Sequence, residues 1–551
     1  MNKENLQIQQ TLKLAYENHK KGNLKLAESL YKKIIKVNKK NFEVFFLLGS
    51  LCLQKRDFKE AINLLDKAIK IEPKNANSYQ NLGYAFTELG EFEKAKLALD
   101  KAIEIQPKHA DAHFNLANVY KQTRNFEKAK IYYEKTIQIQ PTNASALNNL
   151  ANVYKRLGKF QQAIKSYNKA IAVKPDHGRA YHNLGYTYNQ LGETSKAIIA
   201  FKKAFEVQPS NLESLYAWSD LDEEILDLEL KKKIKYIMEK GKLSKKDIGY
   251  GNFLLAKYEF KDRNYEKELE YLLIGHENYY EANQTFFDKG INYWLKNLPK
   301  IKELEKINKP EINNNIKPIF IIGVPRCGST VVEKVIASGK NKIPMGEECG
   351  VISLFVGEII LAEKSFNKNI ENLKEKIHKK YEELDLIKKE SGKIFTDKTL
   401  DNFFFLGIIK NIFPHAKIIN CQRNSLSSII SILKNNLGDV SWAHNLENIF
   451  SYFDLYYKKI NTFKNNFPNF IYNLNFENFQ NNPEIESKKL MEFCDLPWDK
   501  ECLEFYKRKD VISYTASHRQ IRNPIYKVSS KKNEPYKNFL YKYGKKYEWF
   551  K

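Results

Sequence analysis

Apolar positions in the first 211 residues recur with a period of 34 residues. A proline closes each of five units, at Pro73, Pro107, Pro141, Pro175 and Pro209. Each unit carries two groups of apolar or small residues at helical spacing, for example Tyr79, Leu82, Gly83 and Phe86, then Ala95, Leu99 and Ala102. This pattern predicts two antiparallel helices per unit, with small residues where the helices approach each other closely.

The 34-residue helix pair resembles the tetratricopeptide repeat. Five good units run from Phe42 to Asn211, and a degenerate sixth, Ile8 to Asn41, lacks the closing proline, as an N-terminal cap often does. We therefore expect an all-α tetratricopeptide solenoid over residues 8–211.

One polar position also follows the repeat. Asn81, Asn115, Asn149 and Asn183 each precede the leucine of the first helix in four successive units. The resemblance to other tetratricopeptide arrays implies that these amides face the inner groove and bind the backbone of an extended peptide. The alternative is an asparagine on a solvated helix face.

The pattern changes twice after the repeats. Residues 212–315 keep a helical texture without the 34-residue period and end in the polar stretch "INKPEINNNIKP". From residue 316 to 551 the texture becomes apolar strand, glycine turn and helix, first at "PIFIIGVPRCGSTVVEKVI" and again at "HAKIINCQRNSLSSIISIL". This alternation predicts an α/β domain around a parallel sheet that binds ligands at the carboxyl ends of its strands.

The amino-acid composition restricts the class of binding partner only slightly. The 551 residues carry a formal net charge of +25, which favours acidic partners such as nucleic acid, anionic lipid or acidic peptides. The lysines are scattered, so most of the charge is expected on solvated helix faces. The six cysteines form no CxxC pair and no zinc spacing, and neither a signal peptide nor a membrane span is visible. A reduced, cytoplasmic protein without a bound metal is expected.

The segment "GVPRCGST", residues 323–330, matches the phosphate-loop pattern G-x-x-x-x-G-K-[ST] except that Ser329 replaces the lysine. Backbone N–H groups and a helix N-terminus can still wrap an anion there. Arg326 adds a guanidinium fork, and Ser329 and Thr330 add hydroxyl donors. The missing lysine argues against an ATPase or a nucleotide kinase. A donor whose transferred group carries less charge than a γ-phosphate, such as a sulfuryl group, needs no ammonium at that position.

Five ordered segments resemble the sulfotransferases that use 3′-phosphoadenosine 5′-phosphosulfate (PAPS), in particular the tyrosylprotein sulfotransferase type. They are "PIFIIGVPRCGSTVVEKVI", "MGEECG", "TDKTLDNFFFLG", "KIINCQRNSLSSIISIL" and "SHRQIRNPIYKVSSKK". The resemblance spans about residues 316–535 and implies a P-loop-like sulfotransferase domain with a central parallel sheet.

The resemblance also implies catalytic roles. A glutamate of "GEE" is the general base for the acceptor hydroxyl; Glu347 and Glu348 both fit, and the end of the motif favours Glu348. Lys398 would stabilise charge on the oxygen that leaves sulfur, and Asp397 beside it could orient or neutralise it. Arg326 would grip the phosphosulfate. Ser517 matches a serine near the same leaving oxygen.

The donor-binding set is implied in the same way. The phosphosulfate loop contributes Arg326, Cys327, Gly328, Ser329 and Thr330. Arg423 and Ser431 would hold the 3′-phosphate. Lys532 falls at a matching basic position, and Phe476 replaces the tyrosine usual in the family, so its ring remains but a hydroxyl contact is lost. Cys327 stands where a serine is usual.

These observations favour transfer of a sulfuryl group from PAPS to an acceptor hydroxyl, with a tyrosine of a peptide or protein, possibly acidic, presented by the repeats. A glycan, lipid or small-molecule hydroxyl would need the same loop chemistry. The remaining alternative is a non-catalytic repeat scaffold with a vestigial nucleotide site.

Overall fold

A computed structural model describes residues 3–305, 316–340, 342–361, 366–387, 393–467, 470–508, 522–525 and 530–550. The chain divides into two compact units. One comprises residues 1–189 and 193–208, and the other residues 190–192 and 209–551. None of the helices in the described ranges combines the length and the apolar character that crossing a membrane requires.

The first unit is a stack of helix pairs, as the 34-residue period predicts. Its helices are α1 Lys3–Lys20, α2 Leu24–Val37, α3 Phe42–Gln54, α4 Phe58–Ile71, α5 Ala76–Glu88, α6 Phe92–Ile105, α7 Ala110–Gln122, α8 Phe126–Ile139, α9 Ala144–Arg156, α10 Phe160–Val173, α11 Gly178–Leu191 and α12 Thr194–Val207. Asparagine side chains cap several first helices, as where Asn75 accepts a hydrogen bond from the Ser78 N–H at 2.9 Å. The seams between pairs are filled by alanines with one large ring each, such as Ala129 and Ala146 around Tyr133.

The second unit opens with five helices that lack the repeat: α13 Leu212–Leu221, α14 Leu228–Lys240, α15 Lys245–Lys261, α16 Tyr265–Ala282 and α17 Gln284–Ile291. Helix α16 packs against the domain that follows. In that contact the buried Glu268 binds Lys434 at 2.8 Å and accepts a hydrogen bond from Tyr536 at 2.5 Å. The buried carboxylate is thus satisfied by two partners far along the chain.

A four-stranded parallel sheet forms the centre of that domain, in the order β2-β1-β3-β4. The strands are β1 Lys317–Gly323, β2 Ile394–Asp397, β3 Lys417–Gln422 and β4 Ile471–Asn475. The helices between and after them are α18 Ser329–Ala337, α19 Val351–Leu361, α20 Phe366–Glu383, α21 Leu406–Ile412, α22 Ser425–Asn435, α23 Leu446–Asn466, α24 Phe476–Asn481, α25 Pro483–Phe493 and α26 Lys537–Gly544.

The sheet is buried on both faces, which explains the continuous apolar runs in β1 and β3. Residues 318–323 of β1 are all buried. The register pairs Gly323 of β1 with Cys421 of β3, and Phe320 of β1 with Asp397 of β2. The carboxyl ends of three strands therefore meet at one edge, where the loops after β1, β2 and β3 lie side by side.

The predicted fold class is confirmed: an all-α repeat solenoid is followed by an α/β domain with a central parallel sheet.

Candidate active site

The loop after β1 turns sharply into α18. Arg326 has a φ of 70° and Gly328 a φ of 95°, so both lie in the left-handed region. Ser329 and Thr330 then begin α18, and both are buried. A turn of this kind directs successive backbone N–H groups toward the helix N-terminus, where an anion is favoured.

The structure brings Arg326, Arg423 and Ser431 together. The Arg326 Nε donates a hydrogen bond to the Ser431 Oγ at 3.0 Å. The Arg423 Nη1 donates to the backbone oxygen of Arg326, also at 3.0 Å. The loop after β1 is therefore joined to α22, and two guanidinium groups lie on the same side of the sheet edge.

Phe476 lies directly over the phosphate loop. A β-carbon at Gly328 would lie 2.3 Å from the Phe476 ring, so only glycine allows this approach. The next residue, Glu477, accepts a hydrogen bond from the Asn424 N–H at 3.0 Å and lies 4.0 Å from the Arg423 Nε. Thus the start of α24 positions both an aromatic ring at the loop and a carboxylate at the start of α22.

Cys327 is fully buried behind the loop. A hydrogen bond from the thiol of Cys421 lowers the pKa of Cys327, while burial opposes that shift. The same contact raises the pKa of Cys421. Cys327 is enclosed by the loop, consistent with a small side chain that lets a tight turn close.

The "GEE" segment forms a short extension of the sheet beside β2. The Gly346 N–H donates to the Thr396 oxygen at 2.8 Å, and the Lys398 N–H donates to the Glu347 oxygen at 2.7 Å. A β-carbon at Gly346 would lie 2.4 Å from that Thr396 oxygen, which explains the glycine. This pairing fixes the two glutamates against the residue that follows β2.

Each of the two glutamates forms an ion pair with a different lysine. The Lys398 Nζ binds the Glu348 Oε1 at 2.8 Å, and the Lys334 Nζ binds the Glu347 Oε1 at 2.9 Å. Both lysines are almost wholly buried, with side chains 0% and 2% exposed, whereas the Glu348 side chain is 50% exposed and that of Glu347 13%. Of the two carboxylates, Glu348 is therefore much the more accessible to solvent.

The buried charges near Lys398 influence one another. Burial lowers the pKa of Lys398, but the carboxylates of Glu348 and Glu333 outweigh it and leave that pKa above its ordinary value. Burial raises the pKa of Glu333, which accepts hydrogen bonds from the Thr396 hydroxyl at 2.8 Å and the Glu347 N–H at 3.0 Å. Lys398 therefore keeps its positive charge despite its burial.

Asp397 has other partners than the ones the sequence suggests. It accepts hydrogen bonds from the Tyr381 hydroxyl at 2.6 Å and the Thr399 N–H at 2.9 Å. The idea that Asp397 orients or neutralises Lys398 is wrong in this respect, because Glu348 is the ion-pair partner of that lysine.

The remaining predicted residues of the domain lie apart from this group. Lys532 is exposed, and its Nζ lies 5.5 Å from the centre of the Phe260 ring. Ser517 lies outside the described residues.

A cleft of about 400 Å³ lies at the carboxyl ends of β3 and β4. Arg423 and Asn475 line it together with three residues that the sequence did not single out: Tyr457, Lys537 and Trp549. The Tyr457 and Trp549 rings stack with centres 5.2 Å apart. Lys537 and Trp549 follow the last motif in the sequence, so no motif predicted their role. Lys334 lies in α18, just after the phosphate loop, and the sequence does not distinguish it from an ordinary helical lysine.

In the repeat unit the four predicted asparagines are half-buried. Three donate to the preceding repeat: Asn81 to the Ser50 Oγ at 3.0 Å, Asn149 to the Asn118 Oδ1 at 3.3 Å, and Asn183 to the Asn148 Oδ1 at 3.0 Å. The column therefore connects successive repeats along one surface.

No group of three or more His, Cys, Asp or Glu side chains that could hold a metal ion occurs within the described ranges.

Comparison with known proteins identifies both parts. Residues 318–500 match the model of the sulfotransferase family. Tetratricopeptide repeat models match residues 49–90, 83–123, 110–143 and 142–210.

An uncharacterized protein of Aquifex aeolicus (strain VF5) is 29% identical over 346 residues, which is 58% of this chain and 43% of that protein. The chain thus matches less than half the length of that relative. Among solved structures, MamA is 28% identical over 30% of this chain and 97% of its own, with a TM-score of 0.28. TTC0263, a tetratricopeptide repeat protein of Thermus thermophilus, is 20% identical over 33% of this chain and 99% of its own, with a TM-score of 0.30.

Taken with the parallel sheet and its loop, the family-model matches show that residues 318–500 form a domain of the sulfotransferase family, preceded by tetratricopeptide repeats.

Proposed function

We propose that this protein transfers the sulfuryl group of PAPS to the hydroxyl of a tyrosine in a peptide that the repeats bind. The observation that carries the proposal is the pair of Lys398 and Glu348, 2.8 Å apart, just beyond β2 and beside the phosphate loop. A buried cation with a partly exposed carboxylate offers what the transfer needs: stabilisation of the leaving oxygen and a base for the acceptor.

The donor would be held at its two charged ends. The backbone N–H groups from Gly328 to Thr330 and the Arg326 guanidinium suit the 5′-phosphosulfate. Arg423 and Ser431 suit the 3′-phosphate, and Lys537 adds a cation in the cleft that Arg423 lines. We add Lys537 to the proposed donor site because it lines the same cleft as Arg423. Lys532 lies over Phe260 instead, so its role is proposed on the family resemblance alone.

The transfer step balances without a metal or a covalent enzyme intermediate. The acceptor oxygen attacks sulfur and forms the new S–O bond, while the bond from sulfur to the bridging phosphate oxygen breaks. The electron pair of that bond stays on the phosphate oxygen, where Lys398 stabilises the charge. The phenolic proton, with an ordinary pKa of about 10, passes to Glu348. The products are the sulfated acceptor and adenosine 3′,5′-bisphosphate.

Glu348 is proposed as the base in preference to Glu347. The Glu347 carboxylate pairs with the buried Lys334 and is itself only 13% exposed, which suits a structural role. The Glu348 carboxylate is half exposed and touches Lys398, so one residue lies next to both the acceptor and the leaving oxygen. A role for Ser517 near the leaving oxygen is proposed on the family resemblance alone.

The test is transfer of ³⁵S from labelled PAPS to a tyrosine-containing peptide library and, in parallel, to the protein, glycan and lipid fractions of a cell extract. We expect label on tyrosine peptides and none on matched peptides with phenylalanine. Glu348→Gln should abolish most transfer while it retains binding of adenosine 3′,5′-bisphosphate, measured by calorimetry, and Glu347→Gln is the matched control. Label confined to glycan or lipid would contradict the tyrosine acceptor. Absence of both transfer and nucleotide binding would contradict the enzyme itself.

A further inference from the structure

Two half-buried lysines of the repeat unit have no carboxylate partner among the described residues, whereas the half-buried Lys96 and Lys159 each pair with a glutamate. Lys121 and Lys155 lie at equivalent positions, 34 residues apart, at the ends of α7 and α9. Both are half-buried. Neither makes an ion pair or a hydrogen bond through its ammonium group within the described part of the chain. Lys130 in α8 is also half-buried, but it differs because it binds Glu127 at 2.6 Å.

The electrostatic surroundings of these lysines are positive. Burial lowers the pKa of Lys155 to about 8, and Arg156 adds to the shift. Burial and the charge of Arg179 lower the pKa of Lys121 in the same direction. Helices α9 and α11 contain no acidic residue at all, so an anion would relieve a cost that the protein itself leaves uncompensated.

Asparagines one helical turn earlier present further donors. The Tyr133 hydroxyl donates to the Asn118 Oδ1 at 2.5 Å, and the Tyr167 hydroxyl donates to the Asn152 Oδ1 at 2.6 Å. Because a tyrosine occupies each amide oxygen, the amide nitrogens remain as donors. Lysine ammonium groups are also donors only.

These four side chains belong to one continuous surface. The Asn149–Asn118 hydrogen bond joins residues 31 positions apart across two repeats. Lys121 and Asn152 are separated by the same 31 positions, so they occupy corresponding places one turn further along the same helices. We call Asn118, Lys121, Asn152 and Lys155 the donor row.

We propose that the donor row binds carboxylate side chains of an acidic peptide segment. This inference rests on the proposed binding of peptides by the repeats, but it does not depend on the sulfuryl transfer. An acidic peptide fits better than nucleic acid because the row itself contains two lysines, whereas a protein whose DNA binding depends strongly on salt makes about 6–10 phosphate contacts. The asparagine amides in turn suit peptide carbonyl and carboxylate oxygens.

The experiment measures fluorescence anisotropy of two labelled peptides of equal length with the full-length protein. One peptide carries glutamate at several positions, and the other carries glutamine at the same positions. The wild-type protein should bind the glutamate peptide at least about tenfold more tightly, as expected for one or two charge-assisted hydrogen bonds. The double variant Lys121→Gln/Lys155→Gln should lose that preference.

The matched control is Lys165→Gln/Lys169→Gln, which removes two exposed lysines from α10 of the same repeat region. It should keep the affinity within about twofold, because exposed charges act weakly at moderate salt. If both double variants lost the same affinity for the glutamate peptide, the general positive charge of the protein would explain the effect, and the proposal would be overturned. Equal affinity of the wild-type protein for the glutamine and glutamate peptides would also overturn the proposal. The proposed sulfuryl transfer is measured in a separate assay, so its outcome does not depend on this result.

Two further readouts separate a binding role from a structural one. Because Lys121 and Lys155 are unpaired and half-buried, Lys121→Gln/Lys155→Gln should leave the melting temperature unchanged or raise it. A marked decrease would show that the lysines support the fold and would overturn the proposal. A single-stranded oligonucleotide that competes at lower concentration than the glutamate peptide, and only in proteins with both lysines, would assign the row to nucleic acid instead.

Discussion

At the scale of single residues, the neighbours Glu347 and Glu348 each pair with a buried lysine but differ in exposure and in proposed role. Glu347→Gln would leave Lys334 buried without its carboxylate, so we expect the free energy of unfolding to fall by about 3 kcal/mol. Glu348→Gln also unpairs a buried lysine, Lys398, but it should in addition lower kcat by about 10²- to 10⁴-fold, because the proposed base is lost. Urea denaturation and sulfuryl-transfer kinetics, normalised to folded protein, measure the two effects. Equal kcat losses in both variants would contradict the assignment.

Asp401 gives a residue-scale prediction in pH. Burial raises the pKa of Asp401 from 3.8 to about 6, although a hydrogen bond from Tyr452 opposes the shift. An acid whose pKa is raised in the folded state favours folding while it is protonated, and this contribution is lost as the pH rises from about 4 through about 6. Asp401→Asn should therefore gain up to about 3 kcal/mol over the wild type near pH 7.5 and almost nothing near pH 4, measured by urea denaturation. A difference that is constant with pH would exclude titration of Asp401 as its cause.

The sequence predicted some of these residues better than others. Arg326, Arg423 and Ser431 could be picked out because each stands at a fixed place in a motif, and the structure brings them together. The motif only favoured Glu348 over Glu347, because no local pattern shows which buried lysine each carboxylate pairs with. Lys537 joins the cleft of Arg423 through a fold contact that no local pattern records.

At the scale of elements, the loop between β1 and α18 leaves no room for a side chain at Gly328. A β-carbon there would meet the Phe476 ring at 2.3 Å, and the φ of 95° is unfavourable for any other residue by about 1–2 kcal/mol. Gly328→Ala should weaken binding of adenosine 3′,5′-bisphosphate at least about tenfold by displacing the loop, which calorimetry can measure. Gly357→Ala in α19 is the control, because its β-carbon would lie 3.7 Å from the Tyr293 hydroxyl, an ordinary contact. Wild-type affinity in Gly328→Ala would show that the loop tolerates the change.

Regular elements were predictable wherever the pattern was long. Each second helix of the five good repeats ends two residues before the closing proline, at Ile71, Ile105, Ile139, Val173 and Val207. The residue before a proline disfavours helical backbone, which explains the constant offset. Strand β2, by contrast, has four residues and shows no alternation that could mark it. Its place in the sheet comes from pairing with β1, a contact between segments about 75 residues apart.

At the scale of the whole molecule, the two compact units should respond differently to acid. His276 and His444 are buried in the second unit, with their Nδ1 atoms 3.0 Å apart. The His276 Nε2 donates to the Leu433 oxygen at 2.8 Å, so in the neutral ring its Nδ1 is the acceptor. Burial lowers the pKa of His276 to about 4, and burial together with His276 lowers that of His444 to about 3. No such pair lies among the described residues of the first unit.

A histidine whose pKa is depressed in the folded state supports folding above its unfolded pKa of about 6.5, and this support is lost as the pH falls toward 4. Burial also lowers the pKa of His19, His109 and His177 in the repeats, but no two of these form a buried contact like that of His276 and His444. The second unit should therefore lose more stability than the repeats between about pH 6.5 and pH 4. All five tryptophans lie between residues 218 and 549, so tryptophan fluorescence follows the second unit alone, whereas far-ultraviolet circular dichroism follows both. In a urea titration at about pH 4.5 the fluorescence midpoint should fall well below that at pH 7.5, and the midpoint of a second transition, seen only by circular dichroism, should fall by less. His444→Phe, which keeps a ring against Phe287, should flatten the pH dependence of the fluorescence midpoint; an unchanged pH dependence in this variant would place the acid-sensitive group elsewhere.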